Sequence, residues 1–84
     1  MLTYTQQEQA REALLGIKNS YGSYAALAES LNKLIKTPGD SVSFQAVHKW
    51  YKQGVIPADR VPLLAKLSKG EVDMATLRPD LFNA

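Results

Sequence analysis

Four polar side chains, Gln45, His48, Lys49 and Lys52, are spaced by three, one and three residues. On a helix this spacing gathers them on one face. No acid lies between Phe44 and Gln53. The chemistry open to such a face is hydrogen bonding to a polyanion whose edges differ from place to place. A glutamine amide matches adenine N6 and N7. His48 can donate to guanine N7 or O6 or to a phosphate, and Lys49 can reach guanine acceptors or a phosphate. Lys52, one turn further on, is better placed for a phosphate. Ser43 and Phe44 stand at the helix entry and complete the expected base-reading set. Phe44 either touches a thymine methyl or belongs to the core. A plain solvent face is the competing account of the stripe, but such a face ordinarily carries acids as well.

The helix bearing this face is expected over residues 43–53. Ser41 or Ser43 can cap it, Gly54 stands where a C-terminal glycine belongs, and Val47 and Trp50 point the other way with Ala46 and Tyr51 on their flanks. Before it, a second helix begins after Ser23. Tyr24, Leu27, Ala28, Leu31, Leu34 and Ile35 keep one face through nearly three turns, so the helix is expected to run to Lys36 and stop before Pro38. Its small residues Ala25, Ala26 and Ala28 permit close approach by another helix. Ser23 and Tyr24, at its start, can bond phosphate through hydroxyls and free amides.

The supporting elements read as helices too. The first is expected over residues 6–19, with Thr5 and Glu8 as a capping box and Ala10, Ala13, Leu14 and Ile17 as its apolar stripe. A fourth follows Asp59 as N-cap, with Pro62 in the first turn, Leu63, Leu64 and Leu67 as its core side, and Gly70 as its end. A short fifth helix covers residues 74–77. Glu71 and Val72 can make one extended step. Leu81 and Phe82 either fold back onto the body or pack against a second subunit. The expected fold is all-α, a single domain over residues 1–84 built from five short helices in a non-bundle arrangement.

Composition narrows the function. The 84 residues carry ten Lys/Arg against eight Asp/Glu, and no cysteine. A disulfide framework and a cysteine-based zinc site are excluded. The charge is uneven: residues 30–54 hold four lysines against one aspartate. A local basic surface on a nearly neutral chain suits a polyanion bound at a defined place. The chain shows no leader-like start and no long apolar run, so no membrane role and a cytoplasmic location are expected. His48 is the sole histidine and has no carboxylate three or four residues away, so no metal or other cofactor is expected. Without a nucleophile–base pair or a glycine-rich phosphate loop, and with acids scattered over several helices, neither is catalysis.

Four segments in order carry a family likeness. They are Ala26-Leu27-Ala28-Glu29-Ser30-Leu31, Val42-Ser43-Phe44-Gln45-Ala46-Val47-His48-Lys49-Trp50, Gly54-Val55-Ile56-Pro57-Ala58-Asp59-Arg60 and Leu77-Arg78-Pro79-Asp80-Leu81-Phe82. Over residues 23–82 the chain resembles the small Cro/YdaS-type helix-turn-helix regulators of phages and prophages. The resemblance implies a lambda-repressor-like helical fold, operator DNA as ligand and repression of transcription. It implies base-facing or phosphate-facing positions for Ser43, Phe44, Gln45, His48 and Lys49, and burial of Val47 and Trp50. One departure is the connection over residues 32–41, longer than the tight turn usual in that family. This elongated connection carries Lys36 and Thr37, and either adds a phosphate contact through Lys36 or is a solvated loop. One domain this small makes few base contacts, so a homodimer on a short, near-palindromic operator is expected, with residues 72–82 as the dimer surface. A different class remains open: a helical adaptor or antitoxin that binds a protein partner.

Overall fold

The computed structural model describes residues 2–36 and 39–82. The chain is all-α. Its helices are α1 (Tyr4–Tyr21), α2 (Tyr24–Leu34), α3 (Phe44–Gln53), α4 (Val61–Leu67) and α5 (Met74–Leu77), with a single 3-10 turn at Ala58–Arg60 ahead of α4. Helix α2 packs on α3, and α1 lies across α2, α3 and α5. Ser68 apart, the buried side chains among the described residues are apolar, and Leu14, Leu27, Leu31, Val47, Ile56, Val61, Leu64 and Leu77 are sealed from solvent. Each such side chain contributes about 1.5–3 kcal/mol on leaving water. Trp50 is buried among them, as its place opposite the polar stripe requires.

Helix boundaries depart from the sequence expectations in five places: α1 runs two residues past the expected end, to Tyr21 with Gly22 as its cap, and four others have local causes. Helix α1 starts two residues early, because the capping box is Thr3 with Gln6, not Thr5 with Glu8. The earlier start lengthens the helix and leaves Glu8 free to pair with Arg11. Helix α2 ends at Leu34 instead of continuing to Lys36. Ile35 turns extended there, and its side chain packs against the core. Asp59 does not cap α4 through its side chain. The 3-10 turn closes by Arg60 N–H donating to Pro57 O at 2.9 Å, and Asp59 faces the Arg60 guanidinium at 3.8 Å. Helix α4 ends at Leu67 ahead of Gly70, with the Ser68 hydroxyl donating to Ala65 O at 2.6 Å and accepting from Val72 N at 3.1 Å. The Glu71–Val72 step forms no strand. The expected stop at Pro38 and the reading of Thr37 lie outside the described residues.

The connection before α3 is tied down on its α3 side, at Asp40 and at Val42. The Asn32 side-chain amide donates to Val42 O at 2.9 Å, and Val42 N–H donates back to Asn32 Oδ1 at 2.7 Å. Further along, the Arg60 guanidinium donates to Asp40 O at 3.1 Å and to Asp40 Oδ1 at 3.0 Å. At the C-terminal end, Arg78 forms a two-pronged pair with Asp80 at 2.9 and 2.8 Å, while its remaining arm donates to Ile56 O at 2.7 Å. Phe82 packs on the core; Leu81, 52% exposed, does not. Leu77 is also internal, and Val72 is partly so.

Two outcomes follow for stability. The Gly54 backbone has φ +67°, and a Cβ there would stand 2.8 Å from Gln7 Cβ and 3.1 Å from Gln7 O. Gly54→Ala is therefore expected to destabilise the fold by about 1–3 kcal/mol in urea unfolding, from backbone strain and overpacking together; an unchanged midpoint would refute the close approach. The hydrogen bond from Arg78 holds the Asp80 carboxyl below the ordinary aspartate value, against the opposing effect of burial. A folded value below the unfolded one means the stabilisation is complete above about pH 4 and is lost as pH falls through the folded value. In urea titrations across acidic pH, Asp80→Asn should show a weaker acid dependence than the natural chain.

Candidate nucleic-acid interface

Ser43 caps α3 by accepting a hydrogen bond from Ala46 N at 3.2 Å, and its side chain remains exposed with its hydroxyl proton free to donate. One residue in, Phe44 is 51% exposed, which removes it from the core. This leaves an apolar ring exposed at the mouth of a polar helix face. Gln45, Lys49 and Lys52 are exposed, and His48 is half-buried. The four share the side opposite Val47 and Trp50, because a helix returns to the same face every three to four residues.

The backbone beneath these side chains is anchored by α1. Arg11 Nε donates to Tyr51 O at 3.0 Å, and its Nη2 donates to Lys52 O at 2.9 Å. The last carbonyls of a helix have no partner within it and carry the negative end of its dipole. A guanidinium placed there satisfies both needs, and each charge-assisted bond is worth about 1.5–3 kcal/mol. Glu8 pairs with the same guanidinium. Gly54, in the left-handed conformation, closes the end with its N–H donating to Trp50 O at 2.9 Å.

Helix α2 contributes the second edge of the surface. Ser23 caps it by accepting from Ala26 N at 3.1 Å and is exposed. Tyr24 is half-buried. Its ring centroid lies 5.0 Å from that of His48 and 6.2 Å from that of Tyr51. Burial first, and the neighbouring Tyr51 second, push the Tyr24 phenol above its ordinary value. The fold thus joins Tyr24 to the α3 face. Lys36 is exposed in the connection and shares no hydrogen bond or ion pair with that face among the described residues.

Two residues that sequence reasoning passed over belong here. Lys18, in the last turn of α1, places Nζ 5.2 Å from the Tyr24 ring centroid and brings a further positive charge to this surface. Arg11 anchors α3 from beneath. Neither has a local signature, since each acts across more than one element. Among the described residues no group of three His, Cys, Asp or Glu could hold a metal ion, and no helix is long and apolar enough to cross a membrane.

These features define a small all-helical protein that presents one acid-free, amphipathic helix on an anchored frame. A family model described as bacterial toxin YdaS matches residues 15–84, and the chain belongs to that family. No curated protein and no solved structure matches it.

The raised Tyr24 value has a direct readout. In an alkaline titration followed by tyrosinate absorbance, Tyr24→Phe should remove a phenol that titrates above the ordinary tyrosine value. Loss of an ordinary-range phenol would contradict its burial.

Proposed function

We propose that the chain is a sequence-specific DNA-binding regulator of transcription, a phage or prophage repressor of the Cro-like kind. Helix α3 enters the major groove and α2 supports it, in the lambda-repressor-like manner. The observation that carries this reading is the α3 face itself: Gln45, His48, Lys49 and Lys52 without an acid, on a helix anchored by Arg11 at its C-terminal end. Gln45, His48 and Lys49 read base edges, with Ser43 and Phe44 at the entry. Ser23, Tyr24, Lys36 and Lys52 contact phosphate. The role is one of binding, not catalysis, in the cytoplasm and without a cofactor. Two copies on a near-palindromic operator supply the contacts that one domain lacks. Met74 and Leu81, 39% and 52% exposed, are the outward apolar residues of the 72–82 segment available to pair them.

A second reading is favoured by the family description as a toxin. In it the same basic face meets an acidic protein partner, and the chain is an adaptor or one half of a toxin–antitoxin pair.

Selection of preferred duplexes from a randomised pool separates the two. The expected result at about 150 mM salt is a short enriched site with two-fold symmetry. Gln45→Ala should then lose roughly 1–3 kcal/mol of discrimination at one base pair. Lys52→Ala and Lys36→Ala should weaken all duplexes alike, each lowering the salt slope by about one. A natural chain that enriches no sequence overturns the DNA reading.

A further inference from the structure

Three helices meet in one stacked group. Lys18 from α1 sets its ammonium 5.2 Å from the Tyr24 ring centroid, and Tyr24 from α2 sets its ring 5.0 Å from that of His48 on α3, with the planes tilted by 48°. The Tyr51 ring adjoins Tyr24 at 6.2 Å, tilted by 53°. These separations lie in the range of about 4.5–7 Å where tilted aromatic pairs attract. The His48 ring makes no hydrogen bond among the described residues, so its position is set by ring contact while its nitrogens remain available. The two long neighbours on the same face, Gln45 and Lys49, are exposed and have no such support.

We propose that Tyr24 is a positioning residue for His48. Its ring, held between α1 and α3, selects the imidazole rotamer that offers the His48 nitrogens to one base pair. Preference at that base pair then depends on an α2 side chain that does not read it. The proposal rests on the DNA reading of α3. It also divides the work of Tyr24 between two parts: the ring orients His48, and the hydroxyl serves a phosphate.

The test uses the full chain and the randomised duplex pool, with Tyr24→Phe, Tyr24→Leu, His48→Ala and the Tyr24→Leu/His48→Ala pair. Tyr24→Phe keeps the ring, so it should weaken all enriched duplexes alike and leave the base preferences unchanged. Tyr24→Leu should relax preference at the same base pair as His48→Ala, by roughly threefold or more, and the double variant should relax it no further. Uniform weakening by Tyr24→Leu, or relaxation at a different base pair, overturns the positioning role while leaving DNA reading intact. Loss of base preference already in Tyr24→Phe overturns it too, since the hydroxyl would then be reading directly. A natural chain that enriches no sequence removes both. A spectroscopic measurement needs neither DNA nor the leucine variant. The His48 ring-proton resonances of the free protein should be displaced by the Tyr24 ring current and stay displaced in Tyr24→Phe; shifts typical of a solvated histidine overturn the proposal.

Discussion

The Arg11 guanidinium bonds the Tyr51 and Lys52 carbonyls and pairs with Glu8 on its own helix. Through it α1 grips the C-terminal end of α3, where two carbonyls would otherwise lack partners and the helix dipole presents negative charge. The grip demands close approach of the two backbones, and the fold meets that demand at Gly54, whose missing side chain admits Gln7 and Arg11. The exposed face of α3 is therefore set by contacts made on its far side. Arg11 cannot reach these carbonyls unless α1 lies where its Ala10, Leu14 and Ile17 stripe puts it.

The other end of α3 depends on a different device. A long connection separates α2 from α3, and a connection of that length does not set an interhelical angle by itself. Asn32 supplies the missing constraint. Its amide completes both backbone hydrogen bonds of Val42, so the chain enters α3 from a point tied to α2. Val42 is itself buried, which adds an apolar anchor to the polar one. Arg60 ties the neighbouring Asp40 to the turn before α4. With both ends held, α3 is a rigid support for side chains that remain free at their tips. That combination suits recognition, where a fixed backbone lowers the entropy lost on binding.

The same economy appears at the C-terminal end. Arg78 and Asp80 form a local pair, but the third arm of the guanidinium reaches Ile56 O and joins the segment to the α3–α4 connection. Phe82 and Leu77 turn inward, which uses much of the segment's apolar surface within the chain. Met74 and Leu81 are the large apolar side chains of the segment that stay exposed.

Much of this could be read from the residues alone. Helix periodicity in Ala10, Leu14, Ile17, Leu27, Leu31, Val47 and Trp50 determined which faces are buried, and Ser23, Ser43 and Gly54 determined where α2 and α3 begin and α3 ends. These are short-range effects: a cap and a stripe act within one or two turns, so the local sequence contains them. The choice of Thr3 over Thr5 as cap was not legible, because Thr3 with Gln6 and Thr5 with Glu8 both satisfy the capping-box spacing and overlap. Nor were Arg11, Asn32 and Lys18, whose partners lie 41, 10 and 6 residues away. The polar stripe of Gln45, His48, Lys49 and Lys52 was determined by spacing. Only the tertiary structure decided that Tyr24 and Lys18 join it, because contacts between helices depend on how the core packs.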